Sequence, residues 1–182
     1  MPTAPADLVQ TQTVMQPTLS STDRTEVSAV LDDLRRAGCR CWVGGGWGVD
    51  ALLGRQTRPH RDLDLAVDAD DECAALQALL DRGYQLETDW RPVRVELVAP
   101  DRGWVDLHPV RFDEHGLGRQ AGLDGSHFDY PTAAFTHGSI GDVPVPCLSR
   151  GQQLRFHQGY EPRAVDLHDL EILQRLGGAS RH

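Results

Sequence analysis

Two aspartates, Asp62 and Asp64, close a run from Trp42 to Val67 that begins with three consecutive glycines, Gly44 to Gly46, and continues through a basic segment. Carboxylates two positions apart on a strand leave the same face, so their oxygens can converge on one hard cation. Asp106 repeats the pattern in Trp104-Val105-Asp106-Leu107-His108, an aspartate projecting between two apolar neighbours. Three such groups within a few ångströms repel by roughly 1–4 kcal/mol per close pair, and the cluster therefore wants cations. Mg²⁺ suits it, because it is commonly held through a few carboxylates together with substrate phosphates. Two ions about 3.5–4 Å apart can activate an attacking hydroxyl and steady the leaving phosphate oxygens. A lone D-x-D pair is more often a solvated strand face, so what surrounds this one decides its reading.

A glycine turn between a strand and a helix lets a phosphate approach the backbone, and the helix N-terminus offers unpaired N–H groups. Gly45 and Gly46 fit that role, and a tight structural turn fits them equally. The run is not a P-loop, since no Gly-Lys-Ser/Thr follows, and Val49 stands where the dinucleotide fingerprint needs its third glycine. Between the glycines and the aspartates lie Arg55, Arg58, His60 and Arg61. Any of them could neutralise a triphosphate, and Arg58 and His60 are favoured. All 18 Lys+Arg residues are arginine, which excludes a Walker lysine and Schiff-base chemistry.

The elements that must carry these residues can be read from apolar spacing. Val27, Val30, Leu31 and Leu34 predict a helix over Thr25–Ala37, followed by a short strand at Cys39–Val43. Trp47–Leu53 reads as a short helix ended by Gly54, Asp62–Val67 alternates as a strand, and Asp70–Asp81 returns to helical spacing. Val93–Val98 and Trp104–Val110 flank a Pro/Gly reversal and predict a hairpin. Phe112–Ser139, rich in glycine, is expected to hold little regular structure, and Val143–Leu148 to be an edge strand because of Pro144 and Pro146. Ser149 with Gln152 suits a capping box opening a helix to about Gln158, and a last helix runs from Pro162 to Gly177. The order implies an α/β (α+β) sheet covered on one side, with a helical C-terminal piece.

Gly45-Gly46-Trp47, then Gly54-Arg55-x-Thr57-Arg58-x-His60-x-Asp62-Leu63-Asp64, resembles the antibiotic nucleotidyltransferases of the DNA polymerase beta superfamily, the aminoglycoside 2''-nucleotidyltransferases and lincosamide nucleotidyltransferases among them. The resemblance implies a nucleotidyltransferase fold: a short mixed sheet, helices packed on it, and a helical C-terminal part that shapes the acceptor pocket. It implies transfer of a nucleoside monophosphate from Mg-bound ATP or another nucleoside triphosphate to a hydroxyl of a small molecule, an aminoglycoside or a lincosamide. Asp62 and Asp64 then look like ligands of two Mg²⁺ ions, Asp106 like the third ligand and general base, and Gly45 and Gly46 like the phosphate cradle. His108 stands where the aminoglycoside enzymes carry a glutamate and is closer to the lincosamide branch. It reads either as a hydrogen-bond partner of Asp106 or as a proton acceptor. Arg163 and Asp166 suit either site closure or a mutual i, i+3 pair, and Glu96, Asp129 and Tyr130 are candidate acceptor-pocket residues.

Composition bounds the alternatives. A formal net charge of -9 argues against duplex nucleic acid as a partner and favours cationic small molecules. Residues 1–24 read as a flexible tail without a signal-peptide pattern, 25–148 as the nucleotidyltransferase domain and 149–182 as a C-terminal helical segment. No apolar stretch reaches the roughly 18 residues of a membrane span, and a cytoplasmic monomer or homodimer with reduced cysteines is expected. Two other readings remain beside this one: a toxin-like nucleotidyltransferase acting on RNA or protein, and a non-catalytic nucleotide-binding module.

Overall fold

The computed structural model describes residues 21–178. Most of the expected N-terminal tail and the last residues of the C-terminal segment lie outside them. Thr22 to Arg24, counted with the tail in the sequence reading, belong to the fold: Thr22 is buried and bridges to His60, and Asp23 caps the first helix by accepting from the Glu26 N–H.

The elements are α1 (Arg24–Arg36), β1 (Cys41–Val43), α2 (Gly45–Leu53), β2 (Asp62–Asp68), α3 (Glu72–Asp81), β3 (Gln85–Trp90), β4 (Arg94–Ala99), β5 (Gly103–Phe112), β6 (Gly118–Ala121), β7 (His127–Tyr130), β8 (Phe135–Ile140), β9 (Val143–Leu148), α4 (Arg150–Phe156) and α5 (Ala164–Gly178). The sheet is mixed, in the order β3-β4-β5-β2-β1-β9-β8, with β6 and β7 folded off β5. β2 and β5 run parallel, while β1 and β4 lie antiparallel to their neighbours β2 and β5.

The two-residue period sorts the sheet into two faces. Leu63, Leu65 and Val67 of β2, Val105 and Leu107 of β5, Val95 and Leu97 of β4, and Val43 of β1 all turn to one side and are buried. There they meet Val27, Val30 and Leu34 of α1, Trp47 and Ala51 of α2, and Ala75 and Leu79 of α3. The other face carries Asp62, Asp64, Asp106 and His108. It is walled by a smaller aromatic cluster that joins Tyr130 of β7 and Phe156 of α4 to Ala66 and Leu148. α5 is held against α2 through Val49, Ile172 and Leu173, which brings the C-terminal helices to the edge of this second face.

Two expectations fail and one strand goes unforeseen, each for a physical reason. The glycine-rich segment from Phe112 to Ser139 contains β6, β7 and β8, because several of its glycines serve close packing rather than loop flexibility. At Gly118 a side chain would meet Val110, Phe112 and Tyr130, and at Gly138 the backbone of Ala51. β9 is not an edge strand: it lies between β1 and β8. Its two prolines share one parity, so their missing N–H groups fall on the side that β1 reaches only at Cys147. β3, unassigned in the sequence reading, pairs with β4 alone and is exposed along most of its length, which leaves no buried alternation to detect.

Candidate active site

The glycines enter the structure as the start of α2. Gly44 is the N-cap and donates its N–H to the Asp64 carbonyl at 2.8 Å, and Gly45, with φ +53, is the first helical residue. A side chain on Gly45 would run into the Asp64 carboxylate, and one on Gly46 into His60 and Arg58. The turn thus presses the helix N-terminus against the acidic strand, with Gly44, Gly45, Gly46, Asp62 and Asp64 all lining one cleft of about 560 Å³.

Parallel pairing of β2 with β5 sets Asp64 directly opposite Asp106, and the next strand sets Glu96 opposite Asp106 on its other side. Ligand atoms of Asp64, Asp106 and His108 lie within 4.8 Å of one another. Asp62 lines the same cleft one step along β2 and stands outside that tightest group. Asp106 is only 4% exposed; burial first, then the charge of Asp64, pushes its carboxyl up to about 7. Asp62 is likewise raised by burial and by Asp64. Arg94 Nη1 reaches one Asp106 oxygen, Oδ2, at 3.3 Å, whereas Oδ1 is buried without a hydrogen-bond partner. An orphaned carboxylate oxygen beside a second carboxylate is the donor set a hard divalent cation takes, so the residues present fit Mg²⁺.

His108 bonds to a different aspartate from the one its sequence position suggested. Its Nε2 lies 3.2 Å from Asp64 Oδ1, not on Asp106, and its Nδ1 meets the Gln120 amide at 3.2 Å. Tyr130 in turn donates its hydroxyl to Gln120 Oε1. Tyr130 and Gln120 lie on the β6–β7 hairpin, so Gln120, which sequence reasoning missed, orients His108 from a segment expected to be irregular.

The two basic residues set against the triphosphate both have internal partners. Arg58 lines the cleft but forms a two-armed pair with Asp169 of α5, at 2.7 and 3.1 Å. His60 is 2% exposed and lies beneath the cleft surface, its Nε2 on the buried Asp50 carboxylate and its ring against Trp47. Arg61 remains at the cleft, over the Trp104 ring and 3.6 Å from Glu96. Arg163 pairs with Asp166 through side chain and backbone, the local i, i+3 arrangement, at the cleft rim. Asp129 pairs with Arg119 on the exposed hairpin, away from the cleft lining. Gln153 of α4 donates to the Gly45 carbonyl at 3.2 Å and ties the C-terminal helices to the glycine turn. Among the described residues no helix is long and apolar enough to cross a membrane.

A mixed sheet with acid-bearing parallel strands beside a glycine-led helix is the nucleotidyltransferase fold. The Aminoglycoside-2''-adenylyltransferase family profile matches residues 26–173. A lincosamide resistance protein of Staphylococcus haemolyticus is 35% identical over 83% of this chain and 94% of its own length. The chain therefore belongs to this family of antibiotic nucleotidyltransferase enzymes. A 2''-aminoglycoside nucleotidyltransferase of Klebsiella pneumoniae is 48% identical over 46 residues, 24% of this chain and 26% of that protein. Among solved structures, the lincosamide antibiotic adenylyltransferase LnuA with lincomycin bound superposes with a TM-score of 0.79 at 34% identity, covering 86% of this chain and 99% of its own. ANT(2'')-Ia in complex with adenylyl-2''-tobramycin reaches 0.69 at 18% identity over 87% and 91%, a likeness of fold.

Proposed function

We propose that this protein is a Mg²⁺-dependent nucleotidyltransferase that moves a nucleoside monophosphate from ATP or another nucleoside triphosphate onto a hydroxyl of a lincosamide antibiotic. The observation that carries the reading is the Asp64–Asp106 pair, one carboxylate oxygen of which is buried and unpartnered, set against the Gly45–Gly46 helix start. Gly45 and Gly46 leave room for phosphate oxygens at backbone N–H groups. Asp62, Asp64 and Asp106 are the residues that would hold divalent cations, which when bound screen the triphosphate and steady the departing pyrophosphate. Asp106 takes the proton of the acceptor hydroxyl, whose oxygen bonds to the α-phosphorus as the bond to pyrophosphate breaks.

Two observations support a lincosamide over an aminoglycoside. In sequence the lincosamide relative aligns over 94% of its length, whereas the aminoglycoside relative matches over 26% of its own. Within the cleft, Asp166 and Asp169 are already paired with Arg163 and Arg58, and Phe128, Tyr130, Phe156 and Tyr160 give its lining an aromatic wall. Such a wall suits an acceptor with apolar surface better than a polycation. The test is incubation with ATP, Mg²⁺ and either lincomycin or tobramycin, read by mass spectrometry and pyrophosphate release. The expected product is lincomycin carrying one nucleoside monophosphate. Transfer to tobramycin alone would overturn the acceptor, and transfer to neither would overturn the reaction.

A further inference from the structure

We propose that Asp50 is a positioning residue for the triphosphate side of the cleft, acting through Thr57 and His60; this rests on the nucleotidyltransferase reading above. Asp50 is 1% exposed, and its carboxylate has no arginine partner among the described residues. All three of its partners come from one loop, the link between α2 and β2. It accepts the Thr57 N–H at 3.1 Å, the Thr57 hydroxyl at 2.7 Å, and His60 Nε2. A carboxylate can only accept, so Nε2 carries a proton and Nδ1 is left facing Gly46.

What those bonds hold in place borders the cleft, although Asp50 itself does not. The imidazole fills the space a side chain on Gly46 would need, and the Arg58 guanidinium shares it. The Trp47 ring backs the imidazole at 4.7 Å between centroids. Having donated its proton to Asp50, the Thr57 hydroxyl is free to accept from His168 Nε2 of α5 at 3.0 Å. One residue along, Arg58 reaches Asp169 on the same helix. A single buried carboxylate therefore sets the loop, and the loop sets both the floor under the first turn of α2 and the near edge of α5. A carboxylate placed only to stabilise the loop would have no reason to fix one imidazole nitrogen against the glycine cradle.

The test compares Asp50→Asn, Thr57→Val and Thr57→Ser in the full chain. Circular dichroism checks folding, calorimetry gives the Kd of a nonhydrolysable ATP analogue with Mg²⁺, and kinetics give KM for acceptor and nucleotide separately. The expected result for Asp50→Asn is a nucleotide Kd weakened about ten-fold with a smaller rise in the acceptor KM. Thr57→Val should show a smaller loss in the same sense, and Thr57→Ser should match the parent. Nitrogen NMR of His60 should report loss of the fixed Nε2–H tautomer in Asp50→Asn. A folded Asp50→Asn protein with unchanged nucleotide Kd, or with equal losses for nucleotide and acceptor, overturns the inference. If that variant does not fold, Thr57→Val against Thr57→Ser decides: no difference in nucleotide Kd overturns it. Analogue binding needs no turnover, so a chain that binds nucleotide and transfers nothing would end the proposed reaction while leaving this comparison intact.

Discussion

Asp64 and Asp106 stand opposite each other at one register position of two adjacent parallel strands, and His108 of the second strand reaches back to the first at 3.2 Å. Two residues 42 positions apart become neighbours because β2 and β5 pair without a shift over seven consecutive positions. A slip of β2 by one residue would turn Asp62 and Asp64 into the core and every core leucine of β2 into the cleft. Register is therefore what builds the site, and the buried Leu63, Leu65, Val105 and Leu107 are what fix the register.

Removing the proposed base should cost chemistry and not folding. Asp106→Asn is expected to lower kcat by about 10²–10⁴-fold with a near-parental circular dichroism spectrum. Steady-state pyrophosphate release checks it.

Cation binding should depend on pH in a direction set by Asp106. Burial and Asp64 raise its carboxyl to about 7, so the folded state binds that proton more tightly than the unfolded chain. The cation-free protein accordingly loses stability as pH rises from the ordinary carboxylate range through about 7. Mg²⁺ must displace the proton, so it should raise Tm more at pH 8 than at pH 6, with about 2.7 kcal/mol of stabilisation at a hundred times its Kd. Differential scanning fluorimetry of the parent and of Asp106→Asn checks it; the variant should lose both the Mg²⁺ response and its pH dependence.

Gly45 should tolerate no side chain. Its φ of +53 is disfavoured for other residues, and a Cβ there would meet the Asp64 carboxylate. Gly45→Ala is expected to cost about 1–3 kcal/mol in stability and to weaken nucleotide binding. Thermal melts and nucleotide titration measure the two effects separately.

A second network, away from the cleft, sets acid stability. Arg82 holds both Glu26 oxygens at 2.7 Å and Asp33 at 2.9 Å, and Tyr84 donates to Glu26 at 2.9 Å, joining α1 to the end of α3. Burial works to raise the Glu26 carboxyl, but the hydrogen bonds from Arg82 and Tyr84 outweigh it and leave it below its ordinary value of 4.5. The folded state thus binds this proton less tightly than the unfolded chain, and the contribution is complete above that value and lost as pH falls through the lower, folded one. Glu26→Gln should cost about 1–3 kcal/mol at pH 7, less than a fully buried pair because Arg82 reaches solvent. The gap from the parent protein should close in urea titrations as pH falls below the ordinary value of 4.5.

The grouping of the acid residues on one face was legible in the sequence because strand periodicity sets it: Asp62, Asp64, Asp106 and His108 share one parity and their apolar neighbours the other. The ordering of helices and the capping of α4 by Ser149 follow from local signals of the same kind. What could not be read was long-range. Nothing near Arg58 announces Asp169, 111 positions on, and nothing near His60 marks Asp50 as its buried partner rather than a surface acid of α2. Gln120 escaped because its hairpin is short, glycine-rich and half exposed, and its role appears only when Tyr130 and His108 are seen on either side of it. β3 escaped for a related reason, since an outer strand with one partner carries little burial pattern.

The proposed reaction needs three carboxylates to gather cations where a triphosphate lies against Gly45. Crystals grown with Mn²⁺ and a nonhydrolysable ATP analogue measure this directly, through anomalous scattering at the manganese edge. Manganese is expected within about 2.2 Å of oxygens from Asp62, Asp64 and Asp106, with the analogue's phosphates on the same ions. Manganese bound elsewhere, or phosphates seated away from the acidic strands, would contradict it.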